Sequence, residues 1–375
     1  MYPGLGLYIH IPFCKVKCSY CDFYSVTNNE NHSCYISALE KQAAFLGKTN
    51  EISTVFIGGG NPGCLTLSSL EKVFNLIHSY DLSGIKEFSM EINPESVTKE
   101  KIELCRDYGV TRISMGVQSF NERTLKTLGR NTGKKAILNA LEIVKGFNNI
   151  DLNLDLIFNV PGQSLNDFKK DVDRVVKINP DSISCYSLIL SRGTELTNKV
   201  EAGEISLPDE NLFVEMYYYL HQAMKQNSYN FYEISNFAKK GKTCLHNENY
   251  WQLGEYIGIG ASASGYLNGY RYTNFSDIDK YIELTTQNIE PYEKEKITPE
   301  NQLIEYLMLG LRTTNGITTD KLRDLNSLCE QNRFHNILNE INKLVDNDYL
   351  TKSGKNICCT IMGMTVLDEI LLRLV

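Results

Sequence analysis

Leu5-Gly6-Leu7-Tyr8-Ile9-His10-Ile11-Pro12-Phe13-Cys14-Lys15-Val16-Lys17-Cys18-Ser19-Tyr20-Cys21 holds two signals in succession. The first is a short apolar run, a strand candidate closed by Pro12. The second is three cysteines at C-x3-C-x2-C spacing. Three thiolates that close in sequence can face one centre if the segment loops around it. Four ligands would complete a tetrahedral zinc site. Here position 23 is Phe23, not a fourth cysteine, and Cys34 lies further on, near a predicted helix start. Three cysteines suit a four-iron cluster that leaves one iron open to a small molecule.

Outward from this stretch, composition narrows the field. A length of 375 residues suggests roughly two domains. With 42% hydrophobic and 22% charged residues, the chain is neither disordered nor fibrous. It contains no apolar run long enough to span a membrane, so any membrane association is expected to be peripheral; no strongly basic amphipathic helix stands out to provide it. The formal charge is 38 − 45 = −7, which argues against a generic nucleic-acid binder. Met1–Leu5 shows no cationic region leading into an apolar core, so no secretory signal is expected there. The expected compartment is the reducing cytoplasm, where eleven cysteines do not form a disulfide framework and a tight cluster points to a metal or catalytic site.

From residue 5 to about 190, short apolar runs alternate with longer amphipathic ones. Strand candidates are 7–9, 55–57, 88–92, 113–116, 154–157 and 183–186. Helices are predicted over 36–46, 67–79, 99–108, 134–145 and 166–177; in the last, Phe168, Val172, Val175 and Val176 recur at helical spacing. This rhythm argues for βαβ units and a parallel sheet, an incomplete (β/α)6 barrel, with a flat doubly wound sheet as the alternative. A helix is predicted over 209–226, then short strands and turns over 229–275. Further helices are predicted over 277–287, 299–311, 318–324 and 333–346, followed by a hairpin near 352–360 and a final helix over 362–374. The organisation expected is a barrel over 1–190, an α+β region over 191–290 and a small helical, winged-helix-like domain over 291–375.

The cysteine spacing resembles that of the radical S-adenosylmethionine enzymes. In that family the open iron chelates the amino and carboxylate groups of S-adenosylmethionine, and the reduced cluster releases a 5′-deoxyadenosyl radical. The resemblance implies that Cys14, Cys18 and Cys21 hold a [4Fe-4S] cluster and that Tyr20 packs beside the adenine. Other features fall at the ends of predicted strands, where barrel enzymes build their sites. Gly58-Gly59-Gly60-Asn61-Pro62 follows the second strand and corresponds to a family loop that reads Thr where this chain has Asn61. The loop meets the amino group of the cofactor in the family, and Asn61 keeps a hydrogen-bonding side chain. Tyr8, Gly59, Gly60, Glu91, Gln118, Arg130 and Asp155 are implied to line the same pocket. Each taken singly has a plainer reading, such as a solvated strand end for Glu91 or a helix C-terminal cation for Arg130.

Within the superfamily the opening resembles the group of the oxygen-independent coproporphyrinogen III oxidase and its heme-chaperone relatives. The oxidase carries a fourth cysteine where Phe23 stands and an N-terminal extension before the cluster; only thirteen residues precede Cys14 here. His246-Asn247-Glu248-Asn249-Tyr250-Trp251 matches the HNxxYW signature of the heme chaperones and holds the chain's one tryptophan. Neutral imidazole is a good axial ligand for heme iron, and Tyr and Trp offer flat apolar faces to a porphyrin. The resemblance therefore implies heme as ligand, with His246, Tyr250 and Trp251 near it, unidentified recipient hemoproteins as partners, and a monomer or homodimer. The plainer reading is that His246 and Trp251 pack the junction with the C-terminal region. On a strand, Cys244 would share a face with His246. An oxidase-like enzyme of porphyrin metabolism is the alternative, and no catalytic residue is assigned; a structural zinc protein is the remote third reading. His10 is expected to be a buried, hydrogen-bonded core residue, and Cys64, Cys105, Cys185, Cys329, Cys358 and Cys359 small apolar fillers.

Replacing Cys14, Cys18 or Cys21 by Ser is expected to abolish the iron–sulfur absorbance and S-adenosylmethionine binding after anaerobic reconstitution. A variant that retained a full four-iron cluster would show the ligand assignment to be wrong.

Overall fold

The computed structural model describes residues 4–27, 32–47 and 51–375. The N-terminal reading that rests on Met1, Tyr2 and Pro3 lies outside them. Six parallel strands follow one another in both chain and space: β1 (Leu5–Ile11), β2 (Ile52–Gly59), β3 (Glu87–Ile92), β4 (Arg112–Gln118), β5 (Asp151–Phe158) and β6 (Ser182–Ser187). Helices His32–Leu46, Leu67–Ile77, Lys99–Asp107, Lys134–Lys145 and Leu165–Ile178 connect them. The order never reverses, whereas a doubly wound sheet needs a switch point. Right-handed crossovers then put every helix on one face, as in a partial barrel.

Alternation along the strands explains which side chains face which way. Leu7, Ile9 and Ile11, then Phe88, Met90 and Ile92, then Ile113, Met115 and Val117 are buried, as are Leu152, Leu154, Leu156 and Phe158. The intervening Tyr8, Glu91, Ser114, Gly116, Gln118, Asn153 and Asp155 line a cavity instead. Local signals set the helix ends. Thr66 and Thr98 cap the second and third helices through the Ser69 and Lys101 amides, and Ser164 with Asp167 forms a capping box.

The region after 190 joins the same sheet. Strands β7 (Asn230–Glu233) and β8 (Asn236–Ala238) extend it antiparallel beyond β6. Strand β9 (Tyr256–Ile259) pairs parallel with β1, and β10 (Ser264–Leu267), β11 (Tyr270–Asn274) and β12 (Tyr292–Lys296) continue antiparallel. An open barrel leaves unpaired backbone groups on its first and last strands, and β9 and β8 satisfy them. Twelve strands therefore form one sheet: the six expected for the barrel and six more from the region after 190, which joins the barrel sheet rather than standing beside it.

The C-terminal unit places helix Pro299–Leu311 before β13 (Ile317–Thr318), helices Thr319–Leu328 and Phe334–Asp346, and the hairpin β14 (Leu350–Ser353) and β15 (Asn356–Cys359). Sheet order β13-β15-β14 with two preceding helices is a winged-helix-like arrangement. The single final helix expected over 362–374 is instead two pieces, Ile361–Thr365 and Leu367–Leu374. Gly363 in the first piece is pressed against the Tyr349 carbonyl, where a Cβ would come to 2.0 Å. The unit is bolted to the sheet edge: Arg312 meets the buried Glu233 carboxylate at 3.2 Å and lies over the Trp251 ring at 4.4 Å.

A second correction concerns the stretch around His246. The strand geometry that would put Cys244 and His246 on one face is absent, because Leu245–Trp251 is a helix. The Glu87 carboxylate sits at its N-terminus and accepts from the Leu245 amide at 2.8 Å, the His246 amide at 3.3 Å and the Cys244 thiol at 3.3 Å. A carboxylate there satisfies free amides and complements the helix dipole.

One buried side chain ties the added strands to the barrel. Gln42, fully buried on helix His32–Leu46, donates to Asn274 Oδ1 at 2.6 Å and accepts from the Gly260 amide at 2.9 Å and the Tyr281 hydroxyl at 2.6 Å. Gln42→Leu leaves these groups unpaired, and a destabilisation of about 3 kcal/mol is expected in denaturant unfolding. An unchanged midpoint would mean that water takes over the bonds.

Candidate functional site

The cysteine segment leaves β1 as a loop closed at its base. Val26 donates to the Pro12 carbonyl at 2.7 Å and accepts from the Cys14 amide at 3.0 Å. His10 supports it from below, with Nε2 3.0 Å from the Tyr24 carbonyl and Nδ1 3.1 Å from the Tyr8 hydroxyl. Burial lowers the His10 pKa to about 4, so it is a neutral, hydrogen-bonded core residue, as expected. Farther out, the Ser19 amide donates to the Leu128 carbonyl at 3.2 Å, and the Ser19 carbonyl accepts from the Leu196 amide at 2.8 Å. Gly129, at φ +69°, lets these strands of backbone meet: a Cβ there would fall 2.7 Å from the Ser19 nitrogen.

Cys14, Cys18 and Cys21 all line one cavity of about 520 Å³ at the C-terminal ends of the parallel strands. Their thiols are free. Burial raises each pKa, that of Cys14 to about 12, and the neighbouring Cys64, Cys21 and Cys18 add to the effect at Cys14. Among the described residues no three His, Cys, Asp or Glu side chains are gathered closely enough to hold a metal ion as they stand. Thiolates brought near one another in a buried site are costly without a cation, so binding a metal at these cysteines would be coupled to their deprotonation.

The same cavity gathers the residues implied for S-adenosylmethionine: Tyr8, Tyr20, Gly59, Gly60, Asn61, Glu91, Gln118, Arg130 and Asp155. Bare glycines keep it open. A Cβ on Gly60 would sit 3.0 Å from Cys14 Sγ, and one on Gly116 would crowd Asn93 Oδ1, Gln118 Nε2 and Arg130 Nη2 at 2.9, 2.9 and 3.0 Å. The Arg130 Nε is buried with no hydrogen-bond partner, and Tyr20 is both bonded to Arg130 and shielded from solvent. Asn61 closes its own turn and ties it to the turn after β3. Its Oδ1 accepts from the Gly63 and Asn93 amides at 3.1 and 3.2 Å, while Nδ2 donates to Ser96 Oγ at 2.9 Å and Cys64 Sγ at 3.2 Å. The Asn61 amide is thus spent within its own turn and on the turn after β3, and its bonds fix the loop in place. An orphaned guanidinium nitrogen, glycine-lined gaps and three thiols on one wall fit an iron–sulfur cluster with a polar nucleotide cofactor.

Two carboxyl groups meet in this cavity. Burial raises Glu91 to about 8, with the Asp155 charge adding and the Gly59 amide opposing. Burial also raises Asp155, against bonds from Ser184, Ser114 and Asn153. Sequence reading missed the layer that holds Asp155. Arg112 donates to Ser182 Oγ at 2.6 Å, Asn153 Nδ2 to Asp155 Oδ1 at 2.7 Å, and Ser114 Oγ to Asp155 at 3.0 Å. The signal was available: polar residues at every second position of otherwise apolar strands.

The HNxxYW residues divide. Tyr250 and Asn247 line the cavity; His246 and Trp251 do not. His246 is fully buried, with Nδ1 2.9 Å from Thr54 Oγ1 and Nε2 2.7 Å from the Tyr250 hydroxyl, and it stacks on Phe56. Burial lowers its pKa to about 3. Both ring nitrogens are engaged, so His246 fixes Tyr250 against the cavity wall, and Trp251 lies under Arg312 at the C-terminal joint.

Comparison with known proteins places this geometry. Residues 8–175 match the Radical SAM superfamily and residues 297–366 the HemN C-terminal domain. The chain is 34% identical to a protein of Lactococcus lactis named heme chaperone HemW, covering 97% of both chains. It is also 34% identical to a Bacillus subtilis protein of the same name, covering 93% of this chain and 95% of that one. A zebrafish (Danio rerio) protein named radical S-adenosyl methionine domain-containing protein 1, mitochondrial, is 30% identical over 98% of this chain and 86% of its own. Among solved structures, the Escherichia coli coproporphyrinogen III oxidase HemN superposes with a TM-score of 0.84 over 100% of this chain and 91% of its own, at 20% identity. That likeness bears on the fold.

Glu91 supplies a test. Its folded pKa lies above its ordinary value of 4.5, so the folded protein holds a proton that the unfolded chain loses. Stability through this group is therefore intact below about 4.5 and declines as pH rises toward 8. Glu91→Gln removes the decline: the melting-temperature difference between variant and parent should grow from pH 5 to pH 8, while S-adenosylmethionine affinity falls. A pH-independent difference would place the raised pKa elsewhere.

Proposed function

Since the chain belongs to the radical SAM superfamily and, within it, to the HemW family of heme chaperones, we propose that it binds a [4Fe-4S] cluster, S-adenosylmethionine and heme, and delivers the heme to hemoproteins. The observation that carries this reading is similarity over nearly the whole chain, at 34% identity, to proteins named heme chaperones, with Asn247 and Tyr250 of the HNxxYW motif lining the cavity. Cys14, Cys18 and Cys21 would hold the cluster. Gly59, Gly60, Glu91, Gln118, Arg130, Asp155, Tyr8 and Tyr20 would hold S-adenosylmethionine.

When bound, a cluster with one open iron supplies a ligand site and a single electron at low potential. The chain's own residues do the rest. The clamped loop through Val26, Ser19 and Leu128 keeps the three thiols facing the cavity. The polar layer of Arg112, Asn153 and Ser114 fixes the Asp155 carboxylate, and Glu91 faces it as the second carboxyl group. Tyr250, held by His246, presents a flat face to a ligand in the cavity. In this reading His246 positions Tyr250; direct ligation of heme iron would require breaking its bonds to Thr54 or Tyr250. No helix among the described residues is long and apolar enough to cross a membrane, consistent with a protein that carries its ligand in solution or meets a membrane at its surface.

An anaerobic hemin titration of the reconstituted protein, followed by heme absorbance, tests the function. Saturable binding, weakened in His246→Ala with the cluster spectrum unchanged, is expected. Absence of saturable binding, together with turnover of coproporphyrinogen, would replace the chaperone by an oxidase.

A further inference from the structure

Two loops meet at the mouth of the cavity and expose large apolar side chains there. Val16 and Phe23 flank the cluster cysteines and are 50% and 66% exposed; Ile189, after β6, is 76% exposed. All three line the cavity. Among the described residues no other aromatic side chain is as exposed as Phe23. The loops are held in register by specific bonds. Ser191 donates to the Asp22 carboxylate at 2.7 Å, next to Phe23 on one side and two residues from Ile189 on the other. The Leu196 amide reaches the Ser19 carbonyl at 2.8 Å. These apolar groups are thus fixed in water at the entrance to a polar cavity, where an apolar patch rimmed by polar groups marks a ligand surface.

The charge around the patch identifies the occupant. Lys17 lines the cavity beside Val16, Lys15 lies on the other side of Val16 in the chain, and Arg192 comes three residues after Ile189 and next to Ser191; all three are exposed. The acidic neighbour, Asp22, is turned to Ser191. A flat, apolar molecule with carboxylates on its edge matches this arrangement, with its ring on the apolar groups and its carboxylates on the cations. We propose that Val16, Phe23 and Ile189 form a platform for the heme macrocycle at the cavity mouth, with Lys15, Lys17 and Arg192 receiving its propionates. The proposal rests on the heme-binding reading above and deepens it: the macrocycle is gripped at the rim, through its face and its carboxylates, and its iron is not what the rim recognises.

The test uses the full-length, cluster-reconstituted protein and hemin. The double variant Phe23→Ser with Ile189→Ser is expected to raise the hemin Kd by about tenfold or more, because each loses a large apolar contact. Ile189→Ser alone, remote in sequence from the cysteines, should show part of the loss with the cluster absorbance and S-adenosylmethionine affinity unchanged. Metal-free protoporphyrin IX should compete with hemin, and its dimethyl ester, which lacks the carboxylates, should compete poorly. If the parent binds hemin and the rim variants bind it equally well, the platform is wrong while the chaperone function stands. The platform is equally wrong if the rim variants fail only in transfer to an apo-hemoprotein or in binding anionic vesicles, since the patch would then be a docking surface. If the parent binds no hemin, both readings fall.

Discussion

Alternation along the six parallel strands places apolar side chains under the helices and mostly polar ones, with Phe56 and Ile157 among them, in a cavity, and the rest of the molecule depends on that division. Leu154 and Leu156 anchor β5 in the core, while Asp155 between them faces Ser114 and Asn153. A shift of one residue would exchange the two faces, burying the carboxylate under helices and exposing leucine to the cavity. The register is therefore locked by hydrophobic burial on one side, and the polar layer comes with it. Buried carboxyl groups such as Glu91 and Asp155 are costly when charged, so they persist only where hydrogen bonds or a ligand compensate.

The cysteine loop illustrates the same economy in a different form. Nothing in an isolated C-x3-C-x2-C segment holds three thiols at one cavity. Here Val26 closes the base, Ser19 pins the tip to the Leu128 and Leu196 backbone, and His10 braces the turn at Tyr24. Burial raises the three thiol pKa values, so the loop favours neutral thiols in the absence of a cation.

The HNxxYW helix connects three parts of the fold. Glu87 from β3 caps its start, His246 bonds to Thr54 of β2 and holds Tyr250, and Trp251 meets Arg312 at the C-terminal unit. Of the two readings the sequence offered for His246 and Trp251, heme contact and junction packing, the contact of Trp251 with Arg312 is that of a joint. The motif's members act at different depths: Tyr250 and Asn247 at the cavity wall, His246 one layer behind, Trp251 at the far side. Because Arg312 also pairs with Glu233 of β7, a displacement of the C-terminal unit would be felt at the wall that Tyr250 forms.

The sequence by itself determined the parallel strands, written in local periodicity, and the cysteine spacing; the pocket residues were implied by the family resemblance, and the fold brings them to one cavity. Apolar runs of strand length between amphipathic helices define βαβ units wherever they occur, and helix Lys134–Lys145 was legible to the residue. Residues near in sequence, such as Cys14, Cys18 and Cys21, announce a shared task. The tertiary structure alone decided what depends on partners distant in the chain. The region after 190 adds strands to both edges of the sheet because β1 and β6 have unpaired backbone groups, which no local pattern reveals. Leu245–Trp251 is helical because Glu87, more than 150 residues earlier, caps it. The Arg112–Asn153–Asp155 layer exists because β4 and β5 lie side by side in register, and the apolar rim because Ser191 reaches Asp22 across 169 residues of chain. Hydrogen bonds and burial are decided by neighbours in space, and only folding supplies those neighbours.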